Sequence, residues 1–221
     1  HSVVDRVAYI GHLGLDAHEK FHQDRMAWKR REHTNSFSNY ETYLIELYEK
    51  AIEKLDARVF DGIVEEVANE YKDQVYTYTR GLLKRLKQTG YFLLAVSGSH
   101  NELVEIVAKQ HGFDDWVGTN YERKAGKFTG AKFIASHNKK TILQELIKKH
   151  GLSGTGSYAV GDSQSDAPML EMVDNPIAFN PDQKLFQYAH KRQWPVVVER
   201  KNMVYELQYK NDTYVLAQTN A

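Results

Sequence analysis

The chain has 221 residues, 42% hydrophobic and 26% charged, enough for a packed core in one domain or in one domain with an insertion. Its 29 basic and 29 acidic residues cancel, so no overall charge points to nucleic acid or to an anionic membrane as a partner. The absence of cysteine excludes disulfides and zinc–thiolate sites and fits a reducing compartment, and no apolar run reaches the roughly 18 residues of a spanning helix.

The pattern starts abruptly. Val3, Val4, Val7 and Ala8 share one helical face with Ser2 as a cap, while Asp5 and Arg6 argue against a signal peptide. This reads as a helix whose preceding element has been removed. Helical spacing returns at Tyr40, Leu44, Leu47, Tyr48, Ala51 and Leu55, and again at Ile63, Val64, Val67 and Ala68. No convincing strand precedes residue 90. Tyr91 to Ser97 is then a short apolar run between Gly90 and Gly98, as expected of a strand buried on both faces. A helix with Leu103, Val104, Ile106 and Val107 inward follows. Asn120 to Gly130 predicts a hairpin turning at Ala125-Gly126, and Lys139 to His150 an amphipathic helix stopped by Gly151. Short strands are expected at 158–161, 176–179 and 196–198, and a closing hairpin around Asn211-Asp212. Strands alternating with helices imply a parallel α/β sheet covered on both faces, with the helical first third as a separate small domain.

Three groups carry candidate chemistry, because ligands gather at the carboxyl ends of strands in such sheets. Ser97-Gly98-Ser99 offers a hydroxyl and free N–H groups at a predicted helix start, which suits either a phosphate oxygen or a plain cap. Gly161-Asp162-Ser163-Gln164-Ser165-Asp166 places two carboxylates four residues apart after a buried strand, which suits a hard cation or a solvated capping loop. Lys139 and Lys140 begin a helix, where cations oppose the dipole; either an anion compensates them or both are simply exposed.

In this order, VSGS at Ser97, Lys139 before a helix, and GDSQSDAPML resemble the second, third and fourth motifs of haloacid dehalogenase-like phosphatases, specifically the branch that includes phosphoserine phosphatase (subfamily IB). The match runs over residues 78–199 and extends to the GTNYERKAGKFTG hairpin, the AFNPD segment and the RQWPVVV strand. The resemblance implies a Rossmann-like core formed by residues 1–12 and 78–221, with a helical cap over residues 13–77. It implies a cytoplasmic, Mg2+-dependent phosphomonoester hydrolase that acts on a small phosphorylated metabolite through an aspartyl-phosphate, with no nucleic-acid or membrane partner. Ser97 and Gly98 would hold a phosphoryl oxygen, Lys139 would neutralise phosphate and nucleophile, and Asn180 would touch the phosphate or the lysine. Asp162 would ligate Mg2+ and Asp166 would complete the metal site by supporting it. In the cap, Arg25, Trp28, Lys29, Arg30 and Arg31 would either read an anionic or aromatic leaving group or form a solvated face.

One motif of that family is missing. Its first strand ends in Asp-x-Asp, which supplies the nucleophile and the general acid; here Asp5 precedes Arg6-Val7, Asp16 precedes Ala17-His18, and neither follows an apolar strand. The expectation is a truncated chain, inactive as it stands, with the strands that end at Ser97 and Gly161 left unpaired where a central strand belongs. A phosphate- or partner-binding relative without catalysis is the alternative. His18-Glu19-Lys20-Phe21-His22 also matches the zinc-binding His-Glu-x-x-His pattern, but its polar flanks and the lack of a third ligand make a zinc peptidase remote.

Overall fold

A computed structural model describes residues 2–10, 15–33, 36–201 and 203–220. The chain packs as two compact units, His1–Tyr71 with Asn120–Phe133, and Lys72–Thr119 with Ile134–Ala221.

In the first unit, helices α1 (Ser2–Ile10), α2 (Leu15–Arg30), α3 (Ser36–Ile52) and α4 (Ala57–Tyr71) form the helical part that the apolar spacing predicts. Val3 and Val7 of α1 are buried, and Tyr40, Leu44 and Leu47 of α3 pack with Val4 and Phe21. The Tyr40 hydroxyl donates to Asp5 at 3.1 Å. The hairpin of β2 (Asp115–Lys124) and β3 (Lys127–Phe133) turns on Ala125 and Gly126, both at positive φ. Sequence alone placed both α1 and this hairpin with the α/β core, whereas α1 and Asn120–Phe133 belong to the helical unit. The physical reason lies in the side chains. The Arg123 guanidinium packs on the touching Phe60 and Phe128 rings, 5.3 and 5.0 Å from their centroids, and pairs with Asp61 at 2.8 Å. Ala57 N–H also donates to Gly126 at 2.9 Å.

The second unit holds two sheets. In one, β1 (Leu94–His100) runs parallel to the first half of β2. In the other the order is β4 (Tyr158–Gly161), β5 (Asn175–Phe179), β6 (Val196–Arg200), β7 (Met203–Lys210) and β8 (Thr213–Asn220), parallel through β6 and antiparallel beyond it. Helix α5 (Thr77–Gln88) covers one face of the larger sheet through Leu82 and Leu86 against Ile177, Phe179 and Val197. Helices α8 (Ala167–Leu170) and α9 (Gln183–Arg192) cover the other face through Leu170, Leu185 and Ala189 against Ala178 and Val196. Buried Glu199 caps α5 from far along the chain, accepting Thr77 N–H at 2.8 Å and Tyr78 N–H at 2.9 Å. Helix α7 (Lys139–His150) packs Ile142 and Leu146 on Leu94, Val96 and Val117, and Gly151 closes it in the left-handed conformation, as predicted.

Among the described residues β1 pairs only with β2, and β4 only with β5, so each keeps an unpaired edge. Leu94, Ala95, Val96, Ala159 and Val160 on them are half-buried and Tyr158 is exposed, whereas Ile177, Ala178 and Phe179 of the doubly paired β5 are buried. The expected strand at 91–97 is displaced. Tyr91 to Leu93 form a connection whose last residue bonds Asp114, and the strand continues through Ser97-Gly98-Ser99 to His100 before α6 (Asn101–Gln110) starts.

Candidate active site

The end of β1, the loops that follow β4 and β5 and the start of α7 carry the predicted residues. Ser97-Gly98-Ser99 is not the first turn of a helix, as the sequence suggests, but a break in the ladder. Val96 pairs with Val117 and His100 with Thr119, so three residues of β1 face one residue of β2. Ser97 is half-buried, and its hydroxyl accepts Ser99 N–H at 3.2 Å. The bulge exists because Gly118 lies opposite: a Cβ there would stand 2.6 Å from the Asn101 Cα. A glycine inside a strand pattern is the sequence signal for such an approach.

The acidic loop after β4 is internally wired. Asp166 is buried, and one of its oxygens accepts Asp162 N–H and Ser163 N–H, each at 3.0 Å, and the Ser163 hydroxyl at 3.1 Å. Its other oxygen pairs with the Lys139 ammonium. Gly161 makes room for this carboxylate, since a Cβ at that position would meet the Asp166 Cβ at 2.4 Å. Burial raises the Asp166 pKa, but Lys139 and the loop N–H groups more than offset it, and the carboxyl is held below the usual carboxylate range. Asp162 goes the opposite way. Desolvation, and then the charge of Asp166, push its pKa up against the opposing pull of Lys139. Lys139 is thus the inward lysine, while Lys140 is exposed.

Asp162 and Asp166 therefore differ as cation ligands. Both Asp166 oxygens already accept hydrogen bonds. The Asp162 carboxylate, among the described residues, bonds no other side chain, and its raised pKa marks a partly desolvated carboxylate that a nearby cation would relieve. This donor chemistry fits one hard cation held by Asp162 with Asp166 bracing the loop, although no group of three metal-binding side chains occurs among the described residues.

Asp182, which sequence reasoning missed, ties this loop to α9. It caps the helix through Leu185 N–H at 2.6 Å, accepts Gln164 N–H at 3.2 Å, and donates its own N–H to the Asp162 carbonyl at 2.7 Å. The signal was present, as an aspartate just before a helical run. Asn180, at φ 43°, turns its side-chain carbonyl to Glu199 N–H at 2.8 Å, joining the end of β5 to β6. An open pocket of about 410 Å³ beside the ion pair is lined by Ser136, Lys139, Lys140, Gln164 and Ser165 among others.

The β1 bulge and the lysine segment abut. A Cβ on Gly98 would stand 3.1 Å from the Ser136 Cβ, and Ser136 lies three residues before Lys139. Contacts thus run unbroken from Gly98 through Ser136 to Lys139, and by the ion pair to Asp166 and its neighbour Asp162.

Residues 15–171 match the family model of haloacid dehalogenase-like hydrolases. The chain belongs to this family. Within it, the likeness is to the phosphoserine phosphatases: the chain is 29% identical over 148 residues to one from Archaeoglobus fulgidus, covering 64% of this chain and 42% of that protein. It is 28% identical over 154 residues to phosphoserine phosphatase SerB1 of Mycobacterium tuberculosis, covering 66% of this chain and 50% of the relative. The chain spans about half the length of these curated relatives. A Bordetella pertussis protein of unknown function superposes with a TM-score of 0.66 at 20% identity, covering 88% of each chain. A phospho-aspartyl intermediate analogue of phosphoserine phosphatase gives 0.58 at 20% identity, covering 90% of this chain and 86% of the other. These structures bear out the Rossmann-like α/β fold with a cap. No helix among the described residues is long and apolar enough to cross a membrane.

The zinc pattern rests partly on His18, whose side chain lies outside the described residues; Glu19 and His22 are exposed on α2. Of the basic cluster, Lys29, Arg30 and Arg31 are exposed and Trp28 stacks on Tyr40 at 5.1 Å.

Proposed function

We propose that the α/β unit supplies the phosphate- and Mg2+-binding half of a phosphomonoester hydrolase that works through an aspartyl-phosphate. The Lys139–Asp166 ion pair beside Asp162 carries this reading. Ser97 and the Gly98 N–H would orient a phosphoryl oxygen, and Lys139 would balance the charge that gathers during in-line attack. A divalent cation on Asp162 would neutralise the phosphoryl oxygens. Helices α2 to α4 of the first unit serve as the cap that excludes water and selects the leaving group.

Relatives named for different substrates, phosphoserine in one case and histidinol phosphate in another, support a small phosphorylated metabolite as the substrate class. The cysteine-free composition suits a cytoplasmic setting. The 221 residues contain no Asp-x-Asp, so the reading assigns them binding and charge neutralisation, and no turnover is expected from them alone. The same observation favours, as the second reading, a phosphate-binding relative without catalysis.

The test is calorimetric titration with MgCl2 and inorganic phosphate. Mg2+-dependent phosphate binding that is lost in Asp162→Asn, and that falls at least as far in Lys139→Ala as in Lys140→Ala, is the expected result. Binding indifferent to both Mg2+ and Asp162 would refute it. Hydrolysis of an aryl phosphate by the native polypeptide separates the two readings.

A further inference from the structure

We infer that Thr119 is a positioning residue for the phosphate end of the site, its hydroxyl locking the Ser97–Ser99 bulge to the segment that presents Lys139. The inference rests on the phosphate-binding reading of Ser97 and Lys139. Thr119 is 4% exposed, one of few buried polar side chains among the described residues. Its hydroxyl donates to the Gly98 carbonyl at 2.8 Å and accepts Ala135 N–H at 3.2 Å. One oxygen thus joins two segments that are distant in sequence and satisfies a polar group on each.

The lock sits where the ladder gives no help. The Ser97–Ser99 backbone is bulged out of register with β2, so ordinary strand pairing does not fix its height above the sheet. On the other side, Ala135 is fully buried and opens a short 3-10 turn, Ala135–His137. From it the bonds continue in series: Asn138 N–H to Ala135 at 3.0 Å, then Ile142 N–H to Asn138 at 2.9 Å, which sets the first turn of α7 and with it Lys139. Neither segment holds the other by side-chain charge. Gly98 and Ser136 lie close, so that a Cβ on Gly98 would press on the Ser136 side chain, and no hydrogen bond between them is found among the described residues. Without the hydroxyl, the Gly98 carbonyl and Ala135 N–H lose a shared partner, and the bulge is free to shift against the lysine. A displacement of about 1 Å at a site of this kind weakens binding or rate by up to about 100-fold.

Mg2+ binding offers an internal control, because Asp162, Asp166 and Asp182 make no bond to Thr119 and α7 keeps Lys139 on Asp166 through the packing of Ile142 and Leu146 on Leu94, Val96 and Val117, so that the bulge is the part that shifts. The experiment titrates the whole chain with MgCl2 alone and then with inorganic phosphate at saturating Mg2+, well below the unfolding temperature. Thr119→Val keeps the shape but removes donor and acceptor, and should weaken phosphate by about tenfold or more while Mg2+ affinity stays put. Thr119→Ser restores the hydroxyl and should return phosphate affinity to within about threefold of the parent. If Thr119→Val does not fold, Thr119→Cys, whose thiol is a weak donor, takes its place in the same comparison. Unchanged phosphate affinity in the variant, a parallel fall in Mg2+ affinity, or failure of serine to rescue would each overturn the assignment to Thr119 alone. A parent protein that binds Mg2+ but no phosphate would overturn it together with the functional reading.

Discussion

The two rims of the candidate site are built on opposite principles. After β4, the loop carries its own order: a buried carboxylate, its lysine ammonium and a fan of N–H donors hold one another, and Asp166 joins Gly161–Ser163 to α7. At the end of β1, the Ser97–Ser99 bulge has, among the described residues, a single internal bond, from Ser99 N–H to the Ser97 hydroxyl, and takes its position from Gly118, Thr119 and Ser136. A rim organised by charge survives loss of its neighbours but not of its own ion pair. A rim organised by packing depends on residues outside it.

The sharpest way to break the first rim is Asp166→Ala. It leaves the Lys139 ammonium buried without its carboxylate, and urea unfolding should show a loss of about 3–5 kcal/mol. The second rim should fail from outside. Gly118→Ala drives a methyl into the Asn101 backbone and should cost about 1–3 kcal/mol by the same measurement. The smallest expected effect has the opposite sign. Because the Asp162 pKa is raised in the folded protein, its ionised form is a penalty present above the folded pKa and relieved as pH falls. Asp162→Asn should therefore raise the melting temperature slightly at neutral pH, and the gain should vanish below the ordinary aspartate value of 3.8. Asp166, with its lowered pKa, behaves in reverse. Its contribution is complete above the ordinary value and disappears as pH falls through the folded pKa.

Features set by local rules were legible in the sequence. The Ala125-Gly126 and Asn211-Asp212 turns need paired positive φ values, Gly151 ends α7 in the left-handed conformation, and β4 runs from Tyr158 to Gly161 as its apolar run predicts. The three motif segments were legible because each joins an element boundary to a chemically loaded residue. Features set by distant partners were not. Whether an apolar strand is buried depends on who pairs with its edges, so Val96 and Val197 look alike in sequence and differ in exposure. The start of β1 shifted to Leu94 because Asp114 takes the backbone of Leu93, a bond no periodicity encodes. Glu199 reaches α5 across more than a hundred residues, and Thr119 reads as an ordinary strand threonine until Gly98 and Ala135 are seen beside it.

The open sides of β1 and β4 also bear on how a polypeptide of these 221 residues behaves as a solute. Each is a ready template on which an extended stretch of a neighbouring molecule can zip itself, amide by amide. Self-association should accordingly grow with concentration and begin at these strands rather than at β5 or β6, whose flanks are already taken.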